Sequence, residues 1–404
     1  MTCVECLVNK DCKTAPLLVC SAQRTCVECQ MDDDCPSKLC LTGRTCALPE
    51  DVTYVGGTGA MDNPMCTVDK PCQNLTQGLR DGALRKYIKV TGAITDDAET
   101  TIMDKQVTIY GRSGGKLARS PSSGEVLVIK GMMNPEVTLY DLEIICNGGS
   151  ANKNCVEIGD KATVTMIGVN LHNHGQAGIA MSGTKLVLEK SQVHDNVLEG
   201  VKVAAGILEI RGSSIYGNKG LAGVFTMTTS MVTIDSTVIA ANTGPAGASI
   251  SGPFTIVNSI IARNGNATAS TGGLILMATN GVVDFSTIAK NVSDSGGNAG
   301  VTCTGTVGIS NSILTDNNSL VPISPGCTNI TYSLTSTSPP ALPGNMMGAP
   351  MFINDIDPLN PNYFRIMSAS DARGKANSNA PITVDIDNQP RDDGMKDMGA
   401  DEYK

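Results

Sequence analysis

Lys185-Leu-Val-Leu-Glu-Lys-Ser-Gln-Val-His-Asp-Asn196 is followed, 22 residues on, by Ile207-Leu-Glu-Ile-Arg-Gly-Ser-Ser-Ile-Tyr-Gly-Asn218. In both strings aliphatic residues stand three, eight and ten positions before the closing Asn, and a Ser stands five before it. Extended in both directions, the alignment anchors residues 137–317 on Asn147, His174, Asn196, Asn218, Asn242, Asn264, Asn291 and Asn317, at intervals of 27, 22, 22, 24, 22, 27 and 26. Seven of these eight anchors are Asn, so the position calls for an amide, and His174 reads as a hydrogen-bonded substitute.

The columns around the anchor alternate. Three before it stand Ile144, Leu171, Val193, Ile215, Ile239, Ile261, Ile288 and Leu314, and eight before it Leu139, Met166, Leu188, Ile210, Ile234, Ile256, Val283 and Ile309. Ten before it the residue is apolar in every unit but one, Gly281, while the position between is mixed. Period-2 alternation in short runs, without a helical pattern, is a strand with one buried face. A self-similar unit of about 22 residues with such strands makes each unit one turn of a parallel β-coil, its turns stacked about 4.8 Å apart. The Leu-x-x-Leu-x-Leu signature of leucine-rich repeats is missing. Inward Asn amides can bond from turn to turn where the chain bends, and Ser191, Ser213, Thr237, Ser259, Ser286 and Ser312, five before the anchor, do the same with hydroxyls.

Composition agrees with a narrow interior. The 404 residues contain 5 Phe, 8 Tyr and no Trp, so the core is built from Val, Ile, Leu and Ala. With 39 acidic against 30 basic residues the net charge is −9, and no Lys/Arg stripe offers itself to a phosphate backbone, which excludes nucleic acid. No run of 18 apolar residues supplies a transmembrane segment, and no apolar leader follows Met1, which reads as the start of a trimmed precursor.

Nine of the 15 Cys fall in the first 46 residues. They repeat as Cys6, Cys12, Cys20, Cys26 and Cys29, Cys35, Cys40, Cys46, with Cys-Val-Glu-Cys at 3–6 and 26–29. Units this short need covalent support, and two disulfides per unit, in any of three pairings, are expected. A zinc reading of the Cys-x-x-Cys pairs competes, but no His precedes His172. Cys3 is left over and matches the last Cys of a unit, which predicts a further repeat upstream. The later Cys fall into near neighbours, Cys66 with Cys72, Cys146 with Cys155 and Cys303 with Cys327, and so read as local staples. Both sets place the chain in an oxidising compartment, secreted or on an outer cell surface.

Residues 137–317 resemble the right-handed parallel β-helix proteins, which include pectate lyases, polygalacturonases, phage tailspikes and bacterial surface proteins. Tyr54-Val-Gly-Gly-Thr-Gly with Cys66, Pro71-Cys72, Leu75 and Leu79 resembles the entry segment of such helices. Gly344-Asn345, Pro350-Met-Phe352, Asn362-Tyr-Phe-Arg365, Asp385-Ile-Asp387-Asn-Gln-Pro390-Arg391 and Asp397-Met-Gly399-Ala-Asp-Glu402 resemble the closing segment of bacterial choice-of-anchor Q proteins, although Ser370 and Arg373 interrupt one of its strings. The expected organisation is all-β: Cys-rich repeats over 1–49, an entry cap and first coils over 50–136, about eight regular turns of right-handed parallel β-helix over 137–320, and a closing cap over 321–404.

Four places could carry chemistry. His172, His194 and Tyr216 share the outward column two before the anchor and should stack on one exposed face, as a metal or acid–base site or as a surface ladder of rings. Glu189, Arg211 and Asp235 share the column seven before it. β-Helix lyases resemble this in using acids for Ca2+ and a basic residue as proton abstractor, whereas the alternating signs read as a cross-turn salt-bridge ladder. Two longer polar loops, with Asn266, Thr268, Ser270 and Thr271 and with Ser293, Asp294, Ser295 and Asn298, form a ridge suited to a glycan or a partner surface protein. Asp385, Asp387 and Asp397 stand in an acidic C-terminal run that could hold Ca2+ or simply be solvated. Since structure accounts for every column, the expected role is adhesion or recognition without catalysis, the alternative being a polysaccharide lyase or glycoside hydrolase.

Overall fold

The computed structural model describes all residues except 1–5, 7, 13–18, 22, 58–59, 63–64, 82–84, 97–98, 113, 120–123, 147–152, 320–321, 338 and 392–393. Cys3 and the anchor Asn147 lie outside the described residues. The chain is an all-β parallel solenoid of about ten turns. Among the described residues its only α-helix is Leu75–Asp81. Contacts divide it into two compact units, one of Met1–Asp96, Lys105–Ala118 and Val137–Glu143, the other of Asp97–Asp104, Arg119–Glu136 and Ile144–Lys404.

In the first unit each Cys-rich repeat pairs its first Cys with its third and its second with its fourth: Cys6–Cys20, Cys12–Cys26, Cys29–Cys40 and Cys35–Cys46. The strands Val52–Val55, Tyr87–Val90 and Gln106–Tyr110 stack in parallel, with Tyr54 opposite Lys89 and Lys89 opposite Tyr110. That outward column meets the second repeat. Tyr54 donates its hydroxyl to the Ser37 carbonyl, and Lys89 Nζ reaches Asp32 Oδ2 at 2.8 Å. Leu39, fully buried, packs with Val52, Tyr54 and Tyr110, while Tyr140 stacks on Tyr110 at 4.9 Å. Both partners of the Asp32–Lys89 pair are only 8% exposed, so neither can be lost without leaving a buried charge.

In the second unit most turns carry three strands, as in Ile179–Met181, Lys185–Glu189 and Gln192–His194, and these define three faces, I, II and III. Each strand pairs in register with its counterpart one turn away: Leu186 with Leu208, Val193 with Ile215, Ile179 with Val201. The inward columns are the aliphatic ones, most of them fully buried.

The bends explain the polar ladders. Between faces II and III, Lys190, Gly212, Ser236, Asn258, Phe285 and Asn311 adopt left-handed backbone, and after face III so do Asp195, Gly217, Ala241, Arg263, Lys290 and Asp316. Such a bend turns the next N–H away from the strand ladder, where it still needs an acceptor. The residue after each bend is the Ser, Thr or Asn of the ladder. Ser191 N–H donates to Ser213 Oγ at 3.1 Å, and Asn218 N–H to Asn242 Oδ1 at 3.1 Å. The Asn amides also bond one another from Asn196 through Asn317, at 2.8 to 3.1 Å. His174, 2% exposed, keeps the ladder contact through its backbone N–H, which donates to Asn196 Oδ1, while its ring Nε2 bonds the Lys153 carbonyl. The staples Cys66–Cys72, Cys146–Cys155 and Cys303–Cys327 form as expected.

The segment from 349 to the C-terminus has little regular structure and lies on face III. Ala240, Ala262 and Ala289, all fully buried, pack with Tyr363, Phe364 and Ala400, so the outward column is small where the segment covers it. Arg391 fastens it. Its guanidinium donates to Glu402 Oε2 at 2.9 Å and to the carbonyls of Gly399 and Ala400 at 2.9 and 3.0 Å, over the Phe285 ring. Gly399 is required here: its φ is 96°, and a Cβ would stand 2.6 Å from Ile313 Cδ1.

Candidate functional site

The rings of His172, His194 and Tyr216 stack as their column predicts, at 4.8 and 4.6 Å, and are half-buried rather than exposed. His194 is held on both sides, Nδ1 by Asp195 at 2.8 Å and Nε2 by Asn170 at 2.9 Å. Burial holds its pKa below the usual histidine value, against the pull of Asp195. Burial also pushes the Tyr216 phenol up to about 12. Parallel rings keep their in-plane lone pairs side by side, so the imidazoles do not converge on one ion. The stack acts as a polar ladder.

Glu189, Arg211 and Asp235 occupy adjacent turns in register on face II. Arg211 pairs along its own strand with Glu209 at 2.7 Å, and Lys185 joins the same carboxylate at 2.7 Å. The Lys185 hydrogen bond holds Glu209 below the usual carboxylate range. The ion pairs therefore centre on Glu209, and the cross-turn ladder expected of Glu189, Arg211 and Asp235 is replaced by this cluster.

Further along face II a groove of about 520 Å³ opens over successive turns. Its lining includes Thr233, Thr255, Val282 and Gly308 of the outward column nine before the anchor, with Met231, Pro253, Asn280, Thr306 and Asn329 around them. None of its twelve lining residues is ionisable. Gly308 leaves the depression open. The inward Gly281 that broke the apolar column is explained by its neighbour, because a Cβ there would stand 2.2 Å from the Phe254 ring. Sequence columns contain the signal for this groove, a run of Thr, Thr, Val, Gly, but its depth depends on the corner residues beside it.

The ridge loops do stack, Gly265 pairing with Val292 and Thr271 with Asn298. Their polar groups serve the loops themselves. Asn266 Oδ1 accepts from Thr268 N–H and Oγ1, Asp294 Oδ1 accepts from Gly296 N–H, and the Ser270 carbonyl accepts from Asn298 N–H at 2.9 Å. Ser293 donates to the Asp294 carbonyl and Ser295 is exposed.

At the C-terminus carboxylate oxygens of Asp385, Asp387 and Asp401 lie within 4.8 Å of one another. Each has protein donors. Asp385 accepts the N–H groups of Asp387, Gln389 and Glu402, Asp387 is gripped by Arg365 through two bonds of 2.6 and 2.7 Å, and Asp397 accepts from Gly374 and Tyr403. Asp401 accepts from Ile366, and burial raises its pKa to about 6. The cluster ties the closing segment together.

Parallel strands on three faces, aliphatic columns and Asn and Ser ladders define a parallel β-helix. The family model described as "Right handed beta helix region" matches residues 128–251. Among solved structures the chain is similar to the crystal structure of pectate lyase Pel9A, with 14% identity over 87% of this chain and 96% of that one, and a TM-score of 0.51. No curated protein matches. The likeness is one of fold.

Proposed function

We propose that this protein is a secreted or cell-surface recognition protein, and that its face II groove holds an extended, uncharged glycan along the coil axis. The lining carries this reading. Hydroxyls of Thr233, Thr255 and Thr306 and amides of Asn280 and Asn329 stand beside Met231, Pro253 and Val282. Neutral donors and acceptors among apolar contacts suit sugar hydroxyls and C–H faces, and they supply no general acid or base. The rungs repeat at about 4.8 Å, so a polymer of regular repeat meets an equivalent position at each turn. The disulfides support an oxidising compartment. The bacterial origin suggested by the closing segment belongs to the same proposal.

Gly308→Leu tests it. A Cβ at this position meets nothing nearer than Asn329 Nδ2 at 3.5 Å, so the variant should fold normally while filling the groove. In titrations against neutral and uronate polysaccharides the protein should bind a neutral polymer, and the variant should lose at least tenfold in affinity. Binding unchanged in Gly308→Leu, or release of unsaturated uronates with turnover, would refute it in favour of a different site or of a lyase.

A further inference from the structure

The two Cys-rich repeats dock by the same pair of contacts. Three positions after each first Cys stands Asn9 or Asp32, and directly before each third Cys stands Val19 or Leu39. Inside its own repeat the polar residue does one job in both: Cys20 N–H donates to Asn9 Oδ1 at 2.8 Å and Cys40 N–H to Asp32 Oδ1 at 3.0 Å. Its other side-chain atom reaches forward to the next module. Asn9 Nδ2 donates to the Asp34 carbonyl at 2.6 Å, and Asp32 Oδ2 takes Lys89 Nζ at 2.8 Å. The apolar residue goes the same way. Val19 shares a buried cluster with Cys29, Cys35, Cys40 and Cys46, as Leu39 does with Val52, Tyr54 and Tyr110. The choice between Asn and Asp follows from the partner, since a carbonyl needs a donor and an ammonium an acceptor.

We propose that the first repeat offers the same seat in turn, so that its disulfides Cys6–Cys20 and Cys12–Cys26, with the carbonyl of Asp11, dock a further Cys-rich repeat. Asp11 precedes Cys12 as Asp34 precedes Cys35, and both close a 3₁₀ turn in which their carboxylates accept the N–H of Val8 and of Met31. What differs is the cover. Cys40 and Cys46, clustered with Val19, are buried, whereas Cys20 and Cys26 are half-buried. A second copy of this chain cannot fill the seat, because its Val19 and Asn9 are already engaged on its own second repeat, and its Leu39 and Asp32 on its own coil. The occupant is therefore an additional repeat, bringing an Asn three after its first Cys and an aliphatic residue before its third. Repeats joined in this way bury one another's disulfides as they stack.

The test inserts a copy of residues 6–28 between Glu28 and Cys29 of the full chain, marked by Gln23→Asn at an exposed site, and follows disulfide reduction by dithiothreitol through alkylation and peptide mass. Burial slows reduction by shutting out the attacking thiolate, so in the parent Cys29–Cys40 and Cys35–Cys46 should open about tenfold more slowly than Cys6–Cys20 and Cys12–Cys26. In the longer chain the copy's disulfides should become slow too, leaving only the first repeat fast. Val19→Ser and Asn9→Asp in that first repeat should return the copy to the fast rate. Asn9→Asp keeps the Oδ1 that the Cys20 N–H needs, so the repeat itself stays folded. A copy that stays unoxidised, a copy reduced as fast as the first repeat, or protection surviving both substitutions would overturn the proposal. Concentration-dependent dimerisation of the parent, lost in Asn9→Asp, would do so as well, in favour of a second copy.

Discussion

Replacing Asn242 with Ala removes one rung of the amide ladder and nothing from the surface, because Asn242 is fully buried. Four bonds go with the side chain. Asn242 Oδ1 accepts from the Asn218 N–H at 3.1 Å and from Asn218 Nδ2 at 2.9 Å, while Nδ2 donates to the Ile215 carbonyl at 3.0 Å and to Asn264 Oδ1 at 2.9 Å. Two of the four losses are softened. Asn218 Nδ2 keeps the carbonyls of Val193 and Tyr216, and Asn264 Oδ1 keeps the Asn242 N–H. The Asn218 N–H loses its acceptor, and the Ile215 carbonyl loses a donor. At about 1–3 kcal/mol for each buried group, and with a small cavity added, the cost is about 3–5 kcal/mol. Turns of a solenoid feel mainly their neighbours, so the loss should be local. Hydrogen exchange reads it directly: peptides over 214–218 and 238–242 should exchange roughly 100- to 4,000-fold faster, since about 1.4 kcal/mol is a factor of ten. Ser295→Ala, at an exposed hydroxyl in a loop, serves as control and should change stability by less than about 1 kcal/mol. If Asn242→Ala exchanges like this control, or if protection falls evenly along the whole chain, the ladder is not what satisfies the bends.

Three further outcomes follow from the packing. Arg391→Ala leaves Glu402 buried without its partner and should cost about 3–5 kcal/mol, seen first as protease cleavage within 349–404 while the coil stays resistant. Asp401 has a folded pKa of about 6, above the ordinary carboxylate value, so its contribution is present below about pH 4 and lost as pH rises through 6, by about 3 kcal/mol at most. Asp401→Asn should remove that part of the pH–stability profile from denaturant melts, and an unchanged profile would show that another group titrates. Gly281→Ala should destabilise by about 1–3 kcal/mol through the Phe254 ring, and Phe254→Leu in the same chain should recover most of it; a tolerated single substitution would mean the ring moves aside freely.

Faces II and III were legible in the sequence because their distance from the Asn anchor never changes, from Leu186 to Asn196 or Phe254 to Asn264. Face I was not. It begins five residues after Asn196 at Val201 but ten after Asn264 at Leu274, so columns aligned on the anchor scramble it. The cysteine units were readable as units, while the pairing of first with third and second with fourth needed coordinates. The histidine column was legible as a stack, but not that Asp195 and Asn170 occupy both nitrogens of His194.

By itself the sequence determined the coil, its ladders and its staples, because a stacked fold repeats its environments and each environment selects the same residue type at each turn. Only the tertiary structure decided what covers the outside. The alanines at 240, 262 and 289 meet Tyr363 and Phe364, and Tyr54, Lys89 and Tyr110 meet the second Cys-rich repeat. Those contacts join residues far apart in the chain, at one position each, so no period announces them. The same holds for the groove, which is a space between columns and appears only when neighbouring turns are set side by side.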